Sequence, residues 1–174
     1  TSAHEHTGKQ TYGTGTYTLP DPGVKHSHNF IEVASGVKYF YWLFESQKSP
    51  TSVPTIIWLQ GGPGWSSFLG LFAEHSPFPL NKETAAVEIR THAWNKEANL
   101  LYVDFPGEVG LSKGKENSWD DSLTNFDMFM KKFFADNPNY GKVGVYFFGQ
   151  SYAGHYISGV VTRKSKAKNE ENWG

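Results

Sequence analysis

The chain has 174 residues, of which 38% are hydrophobic and 16% aromatic, and its formal net charge is −1. This length suffices for one domain with a sizeable core, and the balanced charges argue against nucleic acid or an anionic membrane as the main partner. Cysteine is absent, which excludes disulfides and thiolate metal sites, and no apolar run is long enough to span a membrane. We therefore predict no metal and no cofactor.

The N-terminal segment is rich in Gly, Thr, Ser, His and Pro, a composition typical of extended chain. We predict an extended arm over residues 1–27, followed by a folded unit over residues 28–174. The arm and its border contain four histidines, which we interpret as solvated side chains rather than metal ligands: His4, His6, His26 and His28.

Strand-forming residues begin near Phe30. An antiparallel hairpin is predicted from residues 30–33 and 37–44, which are separated by the turn signal Ser35-Gly36. Short apolar runs further along the chain predict three buried strands, at residues 54–59, 100–103 and 143–148.

Helical patterns alternate with these strands. Apolar side chains recur at helical spacing over residues 119–135, and Asn137-Pro138 ends the pattern. A second helix is predicted from Tyr152 towards Lys164, and residues 163–174 are predicted to be a polar loop. A hairpin followed by βαβ units predicts an α/β fold with a mixed sheet.

The last predicted strand runs into Gly149-Gln150-Ser151-Tyr152-Ala153-Gly154, and a helix follows. A serine on a tight turn between strand and helix projects its hydroxyl above the sheet, as a nucleophile elbow requires. The helix N-terminus places backbone N–H groups near a developing oxyanion. The alternative is a strand–turn–helix junction with an incidental serine.

A second glycine-rich segment, Gln60-Gly61-Gly62-Pro63-Gly64, follows the predicted strand at residues 54–59. In enzymes with a nucleophile elbow, such a loop supplies the second backbone donor of the oxyanion hole. The alternative is an ordinary Gly-Pro turn.

Taken together, the glycine loop and the elbow resemble the serine carboxypeptidase family. The resemblance extends to further segments in the same order, at residues 39–46, 70–74, 93–95 and 101–112, and it covers residues 30–160. It implies an α/β-hydrolase fold whose C-terminal strands lie outside this chain.

The resemblance also implies roles for individual residues. Ser151 matches the nucleophile, and the backbone N–H groups of Gly62 and Tyr152 match the oxyanion hole. A peptide substrate with a free C-terminus would bind through its carboxylate to four residues, namely Gln60, Gly61, Glu74 and Gln150.

Three positions depart from the family pattern. Gln60 replaces the usual Asn, Gln150 replaces the usual Glu, and Trp65 replaces a disulfide-bonded Cys. In the family, two carboxyl groups share a proton at this pocket, whereas here Glu74 faces an amide. An amide donates a hydrogen bond to a carboxylate at neutral pH, so we expect a weaker preference for acid.

The family's remaining triad residues have no match in this chain. The residues after Ser151 include one histidine, His155, and two acids, Glu170 and Glu171. His155 lies one helical turn beyond the nucleophile, which places it poorly as a base. We therefore expect the chain alone to be inactive. Three explanations for the missing triad residues are open. The chain is one piece of a processed two-chain enzyme, part of a longer protein, or a degenerate relative that serves as a structural subunit. In each case a C-terminal half or a partner chain is expected to cover the sheet edge.

The principal functional hypothesis is hydrolysis of C-terminal peptide bonds through an acyl-Ser151 intermediate. The alternatives are acyl transfer or lyase chemistry within the same family, and a non-catalytic interaction subunit. The resemblance implies a secretory, lysosomal or vacuolar location. The absence of cysteine and of an Asn-x-Ser/Thr sequon favours a reducing compartment instead.

Overall fold

The computed structural model describes residues 10–12, 15–17 and 23–166. Two short antiparallel strands come first, β1 (Gln10–Tyr12) and β2 (Gly15–Tyr17). The main sheet has five strands: β3 (His26–Ala34), β4 (Val37–Phe44), β5 (Thr55–Leu59), β6 (Asn99–Val103) and β7 (Val145–Gly149).

Two α-helices and three short helical segments complete the described chain. The α-helices are α1 (Trp119–Asp136) and α2 (Ala153–Lys166). The short segments are a π-helix (Gly70–His75) and two 3-10 helices (Trp94–Lys96 and Pro138–Gly141). Helix α1 begins at the cap residue Ser118, whose hydroxyl accepts from the Asp121 N–H, and it ends before Pro138.

The five strands lie in the order β3-β4-β6-β5-β7. Strands β3, β4 and β6 pair antiparallel, whereas β5 pairs parallel with both β6 and β7. This arrangement confirms the predicted α/β class, with a mixed sheet and an N-terminal antiparallel hairpin. It also places the ends of β5 and β7 side by side, so the segments that follow these two strands meet.

The aromatic side chains fill both faces of the sheet. Alternate residues of β4 point to opposite faces, so Tyr39 and Tyr41 pack with helix α1, whereas Phe40, Trp42 and Phe44 join the other core. The first core includes six buried residues of α1, namely Leu123, Phe126, Phe129, Met130, Phe133 and Phe134. The high aromatic content is therefore explained by two separate cores on one sheet.

The predicted boundaries differ from the observed ones at both ends. Strand β3 begins at His26, inside the predicted arm (residues 1–27), and His26 Nδ1 accepts a hydrogen bond of 3.2 Å from Trp42 Nε1. The interpretation of His26 and His28 as solvated tail residues is therefore wrong, because both lie in a paired strand. His4 and His6 lie outside the described residues.

Helix α2 continues to Lys166, so the loop predicted to begin at Arg163 is also wrong over its first residues. The Arg163 guanidinium pairs with Asp120 at 2.6 Å and donates to the Thr124 hydroxyl at 2.7 Å. These contacts tie the last turns of α2 to α1. The rest of the predicted loop, from residue 167 to residue 174, lies outside the described residues.

Strand β7 pairs on one side only, with β5, in the part of the chain that the structure describes. Tyr146 and Phe148 remain 55% and 43% exposed on this strand. A one-sided, apolar strand is a template for pairing with another strand. The bare edge agrees with the expectation that this domain is incomplete.

Within the described residues, no helix has the length and apolarity needed to cross a bilayer.

Candidate active site at the ends of two parallel strands

Ser151 lies on a strained turn between β7 and α2. Its φ angle is 59°, in the left-handed region that non-glycine residues rarely adopt, and its side chain is exposed. Two small residues allow the sharp turn, because a Cβ on Gly149 would lie 2.6 Å from the Ala153 Cβ. The geometry is the one predicted for a nucleophile elbow, and backbone strain of this kind is concentrated at functional sites.

The glycine loop after β5 contacts the elbow directly. A Cβ on Gly61 would lie 2.6 Å from the Gln150 carbonyl oxygen and 2.7 Å from the Tyr152 nitrogen. The next residue, Gly62, has a φ angle of 115°. No described residue accepts a hydrogen bond from the N–H of Gly62 or of Tyr152. These two donors therefore remain available to an oxyanion beside Ser151.

Asp104 anchors the far end of the glycine loop, a role that the sequence analysis did not assign. One carboxylate oxygen accepts from the Ser66 hydroxyl at 2.7 Å and the Ser67 N–H at 2.9 Å, and the other accepts from the Leu111 N–H at 2.9 Å. Burial raises the pKa of Asp104, and these hydrogen bonds oppose the rise. Since both oxygens are occupied and buried, Asp104 acts on the loop rather than on a ligand.

Gln60 and Gln150, predicted to share a carboxylate pocket, form a direct hydrogen bond of 2.8 Å from Gln60 Nε2 to Gln150 Oε1. Trp58 sets the direction of this pair, because its indole N–H donates to Gln60 Oε1 at 2.9 Å. Gln60 therefore presents its amide nitrogen to Gln150. The Gln150 amide nitrogen remains as an exposed donor next to Ser151. Trp58 is a positioning residue that sequence reasoning missed.

Glu74 lies on the π-helix, at a distance in sequence from the other pocket residues. Partial burial raises the pKa of its carboxyl group. Among the described residues, no hydrogen bond joins Glu74 to Gln60 or Gln150, and His75 Nε2 lies 3.9 Å from Glu74 Oε2. Helices of the π type are frequent at functional sites. The structure thus joins two of the predicted pocket side chains, Gln60 and Gln150, and leaves Glu74 outside their hydrogen-bonded pair.

His155 does not act as a base towards Ser151 in this structure. Its ring stacks on Trp119, with centroids 5.1 Å apart, and lies 5.1 Å from the Tyr152 ring. No described hydrogen bond links it to the serine. His155 is exposed on the surface of helix α2, with its ring against these two aromatic side chains. Trp65, which replaces the family's cysteine, is 60% exposed beside the glycine loop.

The sheet order, the elbow and the facing backbone donors together define an α/β protein of the serine-hydrolase class. The model of one family, described as serine carboxypeptidase, matches residues 17–173. The chain belongs to the serine carboxypeptidase family.

Two relatives and one solved structure locate the chain within that family. It is 38% identical over 136 residues to carboxypeptidase Y of Schizosaccharomyces pombe, covering 77% of this chain and 14% of the relative. It is 39% identical over 156 residues to carboxypeptidase Y homolog A of Aspergillus niger, covering 86% and 28% respectively. The chain therefore spans a minor part of these relatives.

The structure is similar to that of Kex1(Δ)p, a prohormone-processing carboxypeptidase from Saccharomyces cerevisiae. The TM-score is 0.76 at 25% identity, and the match covers 88% of this chain and 37% of that one. Most of this chain therefore corresponds to one part of a larger carboxypeptidase structure.

Proposed function

We propose that the intact protein is a serine carboxypeptidase that removes C-terminal residues from peptides through an acyl-Ser151 intermediate. In this proposal the chain supplies the nucleophile, the oxyanion hole and most of the substrate-carboxylate pocket. The general base and its orienting acid come from residues outside this chain, because a serine hydroxyl is a weak nucleophile without an adjacent base.

The reaction begins when Ser151 Oγ attacks the carbonyl carbon of the last peptide bond and passes its proton to the base. The oxygen of that carbonyl becomes an oxyanion, which the N–H groups of Gly62 and Tyr152 stabilise. Collapse breaks the C–N bond, and the base protonates the leaving amino acid. Water then hydrolyses the acyl-serine by the same route in reverse.

Recognition of the free C-terminus is assigned to amides rather than to paired acids. The assigned donors are the amide nitrogen of Gln150, which directly precedes the nucleophile, and the N–H of Gly61, whose backbone lies against the elbow. Neither loses its proton near neutral pH, so both bind a carboxylate across a wide pH range. Glu74 contributes only in its protonated form, since its carboxylate would repel that of the substrate.

The observation that carries the proposal is the direct contact between the two loops that follow β5 and β7. The amide of Gln150, which accepts a hydrogen bond from Gln60, directly precedes the nucleophile and supports its assignment as a carboxylate donor. The close approach of Gly61 to the elbow supports the assignment of the Gly62 and Tyr152 N–H groups to one oxyanion hole. The left-handed φ of Ser151 supports a catalytic role over a purely structural one, because backbone strain of this kind is concentrated at functional sites.

The test uses the intact native protein. A fluorophosphonate probe should label Ser151, and a peptide with a free C-terminus should be cleaved at least tenfold faster than its C-terminally amidated form. Labelling with equal cleavage of both peptides would reject the carboxylate pocket. No labelling, in a protein shown to be folded, would reject catalysis in favour of a structural subunit.

A further inference from the structure

His75 is a buried histidine whose two ring nitrogens differ in their hydrogen bonding. The side chain is 5% exposed, and Nε2 has no hydrogen-bond partner among the described residues. A buried polar atom of this kind is costly unless it acquires a partner. The carboxylate of Glu74 is 3.9 Å away, beyond hydrogen-bond distance but within reach of a change in side-chain torsion.

Three aromatic rings hold the imidazole in place, so Glu74 is the partner that must move. His75 stacks on Trp94 with centroids 4.2 Å apart, lies parallel to Tyr102 at 5.5 Å and meets the edge of Trp58 at 4.2 Å. Glu74, in contrast, is about a quarter exposed, with a side-chain exposure of 27%. Its flexible side chain can close the gap at little cost.

Tyr102 determines which nitrogen of His75 carries the proton. The Tyr102 hydroxyl and His75 Nδ1 are 2.8 Å apart, and the tyrosine is 1% exposed. If the hydroxyl accepted from Nδ1, its own proton would have no acceptor among the described residues. The satisfied arrangement has Tyr102 donating to Nδ1, which leaves the proton on Nε2, facing Glu74.

The charges around this cluster keep the imidazole neutral. Burial, with a smaller effect from Arg90, lowers the pKa of His75 to about 4. The charged or titratable groups that face it are Glu74, Tyr102 and Arg90, and the Arg90 guanidinium is held by the carbonyls of Ser76 and Ala73. At neutral pH the contact between His75 and Glu74 is therefore a hydrogen bond to a carboxylate and not an ion pair.

We propose that His75 is a positioning residue that binds the Glu74 carboxylate through Nε2–H and keeps it away from the Gln60–Gln150 pair. The substrate carboxylate then meets two amides and a backbone N–H without a competing negative charge. This inference rests on the proposed function, because it assigns pH dependence to that same pocket. Its consequence is a carboxypeptidase whose binding of free C-termini changes little between acid and neutral pH.

The decisive variant is His75→Phe in the intact protein, in a Ser151→Ala background so that peptides bind without turnover. Without the Nε2–H donor, the Glu74 side chain enters the pocket, and its ionised carboxylate repels the carboxylate of the peptide. Binding of a free-carboxylate peptide, measured by calorimetry from pH 5 to pH 7, should weaken about tenfold per pH unit above the Glu74 pKa. Without the substitution, binding should change by less than about threefold over that range.

Three controls isolate the effect. Adding Glu74→Gln to His75→Phe should restore the flat profile, because the pocket then holds no acid. The exposed His92, replaced by Phe, should change nothing. Because His75→Phe leaves the buried Tyr102 hydroxyl unpaired, the double variant with Tyr102→Phe removes both partners, protects folding and should give the same pH profile.

Two results would overturn the inference. One is an unchanged pH profile in His75→Phe and in its double variant with Tyr102→Phe. The other is a pH profile of His75→Phe that stays steep when Glu74→Gln is added. If free and amidated peptides bind equally to the protein with His75 intact, the proposed carboxylate pocket fails instead. NMR titration of labelled Glu74 then tests the positioning role. The pKa of Glu74 should rise in His75→Phe, and an unchanged pKa would contradict the role.

Discussion

The nucleophile elbow and the carboxylate pocket are adjacent, yet they are built from different parts of the chain. The elbow depends on backbone geometry: a left-handed φ at Ser151 and the close approach of Gly61. The pocket depends on side chains, and two of these, Gln60 and Gln150, differ from the family pattern. Backbone geometry accepts few residue types, whereas a side-chain pocket can exchange one hydrogen-bonding group for another. The residues that shape the backbone thus follow the family pattern, whereas two of the proposed recognition residues depart from it.

The largest effect is expected when the elbow is separated from the rest of the protein. Expressed alone, residues 1–174 should be inert, because no described residue after Ser151 is placed to act as base. The fragment should also aggregate, since the edge strand β7 exposes Tyr146 and Phe148. Size-exclusion chromatography and probe labelling test both points.

Supplying the C-terminal part of the protein in trans should restore solubility. A fragment that elutes as a monomer, unfolds cooperatively and reacts with the probe would contradict the expectation that the elbow depends on elements beyond this chain.

Ser151→Ala in the intact protein should abolish turnover while leaving the fold and peptide binding almost unchanged. The substitution removes the attacking oxygen, and comparable serine hydrolases lose on the order of 10⁶ in kcat. Steady-state kinetics and thermal unfolding of both proteins are the measurements. Turnover that survives the substitution would refute Ser151 as the nucleophile.

Gly61→Ala tests the contact between loop and elbow. The added Cβ would lie 2.6 Å from the Gln150 carbonyl oxygen, so the loop must shift and carry the Gly62 N–H away from the oxyanion. We expect kcat to fall roughly 10²–10³-fold, as when one oxyanion donor is lost. Overpacking should also reduce the free energy of unfolding by about 1–3 kcal/mol.

The matched control for that substitution is Gly154→Ala, on the same elbow. A Cβ at Gly154 meets nothing within 4 Å, and the residue is helical, so this change should be neutral or slightly stabilising. Equal losses in the two variants would show that the elbow is sensitive to any added methyl group and not to the loop contact.

The smallest expected effect comes from the pocket. Gln150→Glu exchanges the free amide donor for a carboxyl group that donates only when protonated. The kcat/KM for free-carboxylate peptides should therefore fall as pH rises through the pKa of the introduced group, by about tenfold per unit above it. The pH optimum should move towards acid, and amidated peptides should show no such shift. An unmoved optimum would mean that Gln150 does not contact the substrate carboxylate.

Much of the fold could be predicted from local patterns. Strand β4 alternates between two cores, and helix α1 repeats its apolar residues every turn, so their positions follow from side-chain periodicity alone. The elbow was equally predictable, because a small-x-Ser-x-small pattern after a strand restricts the backbone within six residues. The ends of the folded unit were not predictable in this way, since the conformations of His26 and Arg163 depend on distant partners, Trp42 and Asp120.

By itself, the sequence determined the family and the sheet class and predicted the nucleophile, since each depends on residues close together along the chain. Only the tertiary structure revealed that Gln60 bonds Gln150, 90 residues away, that Asp104 holds the loop, and that Tyr102 bonds His75. Those contacts depend on β5 lying between β6 and β7, and on the Tyr102 ring packing against His75 of the π-helix. A local pattern cannot encode which distant side chain takes a hydrogen bond, because that choice is made by packing.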